Sequence, residues 1–208
     1  MCGRYTVLTE DEIIEIREIL KGISLRIVKD EFTDYNEQGG EVYPTNSAPA
    51  LVGTKRGIAF ESVKWGFKKW KGTGVIINAR CETIRLKSTF SKLIEAGRCV
   101  IPAGEFFEWE KLEKGKRKHF IKDENDNILF MAGLYRDTVE GREFVILTKK
   151  ATGEMKKIHD RMPVILRVDQ LEKWLSGEML PDDLEKLEYN VAIAPCEENN
   201  DSDQLKLF

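Results

Sequence analysis

A cysteine at position 2 offers this 208-residue chain a chemistry that no internal residue can supply. Initiator methionine is generally trimmed before a small second side chain, and trimming would leave Cys2 with a free α-amine beside its thiol. An α-amine ionises near roughly 7.7–8 and a thiol near about 8.5, so both keep reactive unprotonated fractions at neutral pH. Toward an aldehyde, the amine of such a 1,2-aminothiol forms a Schiff base and the thiol closes on it to a five-membered thiazolidine. The plainer reading is a small residue that merely permits trimming. The residue type alone leaves both open.

Three polar segments could serve that cysteine. His159 stands in the run Ile158-His159-Asp160-Arg161-Met162-Pro163 directly before an apolar strand, and histidine is the usual proton shuttle near neutral pH. Its alternative is a loop histidine satisfied by a backbone carbonyl, with Asp160 and Arg161 as a local ion pair. Ile76-Ile77-Asn78-Ala79-Arg80-Cys81-Glu82 ends a hydrophobic strand in polar residues. Asn78 there can orient an amine or thiol, and Arg80 can grip a phosphate bidentately or pair with Glu82. In Glu105-Phe106-Phe107-Glu108-Trp109-Glu110, alternation puts Glu108 on the face of Phe106 and Glu110, opposite Phe107 and Trp109. A carboxylate among aromatics suits acid–base work, whereas an ordinary strand glutamate is the plainer reading.

Aromatic and basic residues interleave at Lys64-Trp65-Gly66-Phe67-Lys68-Lys69-Trp70-Lys71. Rings that stack bases beside lysines that follow phosphates are the ingredients of single-strand binding. The same pattern also fits an amphipathic strand whose rings pack inward.

The elements that must hold these residues are mostly strands. Thr9-Glu10-Asp11-Glu12 reads as a capping box opening a helix to about Leu20, with Ile13, Ile16, Ile19 and Leu20 at helical spacing. Gly39-Gly40 interrupts the chain before Tyr43-Pro44-Thr45-Asn46. Short β-branched or aromatic runs follow at 50–53, 57–67, 74–79, 98–102, 106–110, 118–122, 128–135, 143–148, 163–168 and 190–194. Helices are expected over 89–96, from a second capping box at Asp169-Gln170-Leu171-Glu172 toward Leu175, and over 182–187. Many strands with few helices between them predict an α+β domain, with a curved, mostly antiparallel, barrel-like sheet flanked by helices. One domain is expected over 2–196, followed by a polar tail at 197–208.

Composition bounds the rest. A hydrophobic fraction of 41% and a charged fraction of 33% are ordinary for a folded domain. The net charge of −3 requires any nucleic-acid site to be a local concentration of basic residues. No apolar run reaches the roughly 18–20 residues of a membrane span, and no signal-peptide core is visible. The four cysteines are widely spaced and only two histidines occur, which reads as reduced thiols in a cytoplasmic protein with no metal centre.

Taken together, the motifs resemble the SRAP family of abasic-site processing proteins. They stand in family order: Met1-Cys2-Gly3-Arg4-Tyr5, Trp65-Gly66-Phe67, Asn78-Ala79-Arg80-Cys81-Glu82-Thr83, Arg98-Cys99-Val100-Ile101-Pro102-Ala103, Phe107-Glu108-Trp109, Ala132-Gly133-Leu134 and His159-Asp160-Arg161-Met162-Pro163. The resemblance covers nearly the whole chain, from Cys2 to about Ala194. It implies capture of abasic sites in single-stranded DNA as a thiazolidine crosslink to Cys2, with Asn78 positioning the nucleophile. It further implies that Glu108 opens the sugar and assists Schiff-base chemistry, and that His159 stands near the sugar hydroxyl. Arg4 and Arg80 match residues that hold phosphates. With them, Trp65, Phe67, Trp70 and Arg161 are the expected DNA contacts. Two segments depart from the family pattern: Phe67-Lys68-Lys69-Trp70 replaces a proline-rich loop, and Tyr43-Pro44-Thr45-Asn46 replaces another wall of the pocket. The expected protein is a monomer without cofactor, associated with the nucleoid when bound to DNA. A thiol (auto)peptidase using Cys2, or a single-strand binder without chemistry, are the alternatives.

Overall fold

Alternation along the strands divides the buried side chains into two clusters. In the strand Leu129–Thr138, Phe130, Ala132 and Leu134 join one cluster while Leu129, Met131 and Tyr135 join the other. In Gly141–Lys150, Val145 and Leu147 face the first cluster, and Phe144 and Ile146 the second. Successive side chains point to opposite faces of a strand, so a run buried on both faces reads as continuously hydrophobic. The computed structural model describes residues 2–30, 40–125 and 127–196. Gly39 and the expected tail at 197–208 lie outside the described residues.

Among the described residues, the larger sheet runs in the order Arg161–Pro163, Gly141–Lys150, Leu129–Thr138, Arg98–Ala103, Ser47–Thr54, Gly57–Trp65 and Ile27–Asp30. Gly57–Trp65 also pairs in parallel with Gly141–Lys150, through Lys64 with Glu143 and Trp65 with Phe144. The hydrogen-bonded path therefore closes on itself, as the expected barrel-like sheet requires. Asn78–Arg80 adds a second parallel pairing to Gly141–Lys150, with Asn78 opposite Ile146. A smaller antiparallel sheet runs Val191–Pro195, Lys116–Asp123, Glu105–Lys111, Tyr5–Thr6 and Glu41–Val42.

Helices cover the first cluster. Thr9 caps Glu10–Lys21 through the expected box, its backbone N–H donating to Glu12 at 2.7 Å, and Ile13, Ile16 and Leu20 face inward. Val168–Ser176 adds Leu171, Trp174 and Leu175. The second cluster lies where the smaller sheet meets the larger one: Cys2, Tyr5, Phe106 and Ile121 join Val52, Trp65, Ile101 and Phe144 there. The fold is thus α+β, and that inter-sheet layer receives the start of the chain.

Several local expectations need correction. The helix expected from Asp169 starts at Val168, and the Arg167 N–H donates to Gln170 at 2.9 Å. Glu172 instead accepts from the Ser24 backbone at 3.2 Å. The run 57–67 breaks at Gly66, whose φ of 109° turns the chain where an added Cβ would lie 2.9 Å from Val75. No described helix is long and apolar enough to cross a membrane.

Candidate active site

Cys2 is fixed from two sides. Tyr5 pairs with Phe106, and the Phe107 N–H donates to the Arg4 carbonyl at 2.9 Å, so the Glu105–Lys111 strand holds the start of the chain. From the larger sheet, Asn78 Nδ2 donates to the Cys2 carbonyl at 2.8 Å. The Cys2 side chain is fully buried, with Sγ 3.7 Å from the Arg4 carbonyl. Burial, followed by the charge of Glu108, pushes the thiol up to about 12. Asn78 Oδ1 is buried with no hydrogen-bond partner.

Glu108 is 3% exposed and shares the inward face of its strand with Phe106, as alternation anticipated. The turn Met155–Ile158 packs against the same strand and delivers His159 at its end. The Arg161 backbone N–H donates to His159 Nδ1 at 2.9 Å, which places the proton of the neutral ring on Nε2. Asp160 lies 2.8 Å from the same Nδ1 and can accept from it when the ring is charged. Cys2, Asn78 and Glu108 are thus brought together from three separate segments, and the turn bearing His159 lies alongside. Among the described residues, no group of His, Cys, Asp and Glu side chains is arranged to hold a metal.

Three expected DNA contacts are placed differently. Trp65 is fully buried, 5.1 Å from the Tyr5 ring and 6.2 Å from Phe144, with Nε1 donating to the Ile77 carbonyl at 3.0 Å. Phe67 is equally buried against Phe90, beneath the Arg136 guanidinium. Neither ring presents a face on which a base can stack. Arg161 is 7% exposed, and its guanidinium grips Glu82 at 2.5 and 2.9 Å and the Thr148 carbonyl at 2.7 Å. Its partner is therefore neither Asp160 nor a phosphate, and Glu82 does not pair with Arg80.

The remaining contacts stay on the surface. Trp70 is 97% exposed between Lys69 and Lys71, and Arg80 is exposed just beyond Asn78. Arg4 lies over the rings of Tyr43 and Trp109 at 4.4 and 5.1 Å and pairs with Glu41 at 2.9 Å. Lys118 binds the same carboxylate and lies over Phe107 at 4.0 Å. Sequence reasoning passed over Glu41 and also His119, which stands directly opposite Glu108 on the neighbouring strand. Extending the alternation of 105–111 across to 116–123 would have found His119, had the pairing register been known.

Comparison with known proteins gives this geometry a setting. The family model described as "SOS response associated peptidase (SRAP)" matches residues 1–200. The chain belongs to the SRAP family. The abasic site processing protein YoqW of Bacillus subtilis is 34% identical over 202 residues, covering 90% of this chain and 86% of its own. The abasic site processing protein YoaM of the same organism is 31% identical, covering 99% of this chain and 97% of its own. A crystal structure of a phage-related protein from Bordetella bronchiseptica superimposes with a TM-score of 0.72 at 25% identity, over 95% of both chains. In this SRAP chain, the motif residues Cys2, Asn78 and Glu108 meet at the layer between its two sheets.

Proposed function

We propose that this protein captures abasic sites in single-stranded DNA by forming a thiazolidine between Cys2 and the ring-opened sugar. One observation carries the proposal: the Asn78 amide holds the Cys2 carbonyl at 2.8 Å, which fixes the start of the chain beside Glu108. The names of the relatives YoqW and YoaM point the same way.

The chemistry follows from the charges. With Met1 removed, the Cys2 amine is the first nucleophile, because burial and Glu108 disfavour the thiolate. Glu108 assists opening of the sugar to its aldehyde by moving a proton between the anomeric hydroxyl and the ring oxygen, with His159 beside that hydroxyl. The amine adds to the carbonyl carbon, and Glu108 protonates the departing hydroxyl, which leaves as water. The thiol sulfur then bonds to the imine carbon and its proton passes to Glu108, so one water is lost overall. An imine that escapes closure is open to β-elimination and strand cleavage. Arg4, Arg80 and Trp70 supply the surface for the strand. With the thiol raised, the thiol-peptidase alternative would need a general base to take the proton as the sulfur attacks.

Intact-mass measurement of the purified protein, before and after incubation with an abasic single-stranded oligonucleotide, tests the proposal. The expected masses are a chain lacking Met1 and an adduct equal to protein plus DNA minus one water. Cys2→Ser is expected to give no heat-stable adduct. A retained Met1, or an adduct that survives Cys2→Ser, overturns the reading.

A further inference from the structure

The Cα of His119 on Lys116–Asp123 is paired with that of Glu108. Residues directly opposite in an antiparallel ladder share a face, with Cβ atoms about 4.5–5.5 Å apart. The His119 ring is 6% exposed, and its Nε2 lies 2.9 Å from Glu110 Oε2. The carboxylate accepts, so Nε2 carries the proton and Nδ1 of the neutral ring is a bare acceptor. That Nδ1 is buried with no hydrogen-bond partner. Burying an acceptor without a donor is destabilising, and such a group calls for a role in another state of the protein. On the far side, His119 faces Pro195, which has no N–H to give. Tyr5 also has an unpartnered buried polar atom on this face, but its strand lies beyond that of Glu108. The donor within reach is Glu108 itself, whenever that carboxyl holds a proton.

We propose that His119 is a positioning residue for Glu108: the O–H of protonated Glu108 donates to His119 Nδ1, and Glu110 fixes the ring. The hydrogen bond holds the carboxyl in place before the reaction, and the O–H leaves Nδ1 when Glu108 passes its proton to the departing hydroxyl. His119 touches neither sugar nor sulfur. The inference rests on the reading of Glu108 as the acid–base group of the proposed capture reaction.

Amide substitutions separate the two ring nitrogens. His119→Asn puts an amide near Nδ1, His119→Gln puts one near Nε2, and His119→Phe removes both. Single-turnover crosslinking to an abasic oligonucleotide is measured beside affinity for the intact oligonucleotide and the melting temperature. His119→Phe and His119→Gln are expected to slow crosslinking by roughly a hundredfold, with affinity for the intact strand unchanged. His119→Asn is expected to recover most of the rate. Better recovery by His119→Gln than by His119→Asn, or a rate that simply follows the melting temperature, would mean a structural tether to Glu110 and overturn the proposal. So would crosslinking by His119→Phe at the rate of the unaltered protein. If the unaltered protein forms no crosslink, the capture reaction and this inference fall together.

Discussion

Asn78 and Arg161 each hold another segment by side-chain hydrogen bonds, yet they are expected to fail in opposite ways when changed. Asn78 donates from Nδ2 to the Cys2 carbonyl and is only half-buried. Asn78→Leu should therefore lower the crosslinking rate by about tenfold or more while costing no more than about 1 kcal/mol of stability. Rate and melting temperature measured on one preparation check this. Arg161 instead bonds Glu82 bidentately, and that guanidinium lowers the Glu82 carboxyl to about 2. A depressed folded-state pKa stabilises the fold above the unfolded-state value near 4.5, and that contribution fades as pH falls toward 2. Glu82→Gln is expected to cost roughly 3 kcal/mol at neutral pH, because it leaves a buried guanidinium without its counter-charge. The gap between variant and parent should narrow through the acid range in urea titrations. A constant gap would remove the ion pair from the explanation. That Glu108 shares a face with Phe106 was legible from alternation alone, since alternation is a property of one strand, but with aromatics on both faces the inward one was not. The partner of Arg161 was not, because Glu82 lies 79 positions away and only tertiary folding brings it near.

At the scale of elements, the stripe 64–71 divides at Gly66. Trp65 ends one strand inside the core, whereas Trp70 rides on the turn between Phe67–Lys68 and Val75–Ile76. Interleaved aromatics and lysines looked alike along the chain, and only the turn separates the structural ring from the exposed one. Trp65→Ala is expected to destabilise by about 3–5 kcal/mol. Trp70→Ala should leave melting unchanged and weaken single-strand binding by roughly tenfold, as read by fluorescence titration. The short strands Tyr5–Thr6 and Glu41–Val42 escaped sequence reading for a related reason: two residues carry no period, and pairing alone defines them. Their placement brings Glu41 against Arg4 and Lys118, and the pairing lowers the Glu41 carboxyl. A carboxylate shared by two cations on the proposed DNA surface competes with phosphate for them. Glu41→Gln is accordingly expected to tighten single-strand binding by a few fold and to steepen its salt dependence by about 0.7 for each additional phosphate engaged. Unchanged affinity and slope would place Arg4 and Lys118 outside the DNA path.

Across the whole molecule, the site lies in the layer between two sheets, and the packed face of the larger sheet forms one wall of that layer. The fold class and a barrel-like sheet were legible from many strands with few helices between them, but the pairing that closes the larger sheet was not. Closure rests on the parallel pairing of Lys64 with Glu143 and of Trp65 with Phe144, about eighty positions apart, and no local pattern records such a register. Gly133 lies within this closed path on Leu129–Thr138, opposite Cys99 and Ile146. A Cβ there would fall 2.4 Å from Ile101 Cδ1, 2.8 Å from the Val145 carbonyl and 3.0 Å from Cys99 Sγ. A side-chain methyl can rotate away, but the Val145 oxygen belongs to a paired strand and cannot. Ile101 and Cys99 belong to the cluster that also encloses Cys2, so strain there is felt at the reactive residue. Gly133→Ala is therefore expected to cost about 1–3 kcal/mol, a melting temperature lower by roughly 3–10 °C in a domain of this size. It should also slow crosslinking at temperatures where the fold is still intact. Gly115→Ala is the control: no atom lies within 4 Å of its Cβ position, and its cost comes from the φ of 85° alone, far from Cys2 in the 111–116 turn. Equal loss of crosslinking in the two variants at matched stability would show that packing within the larger sheet does not set the position of Cys2.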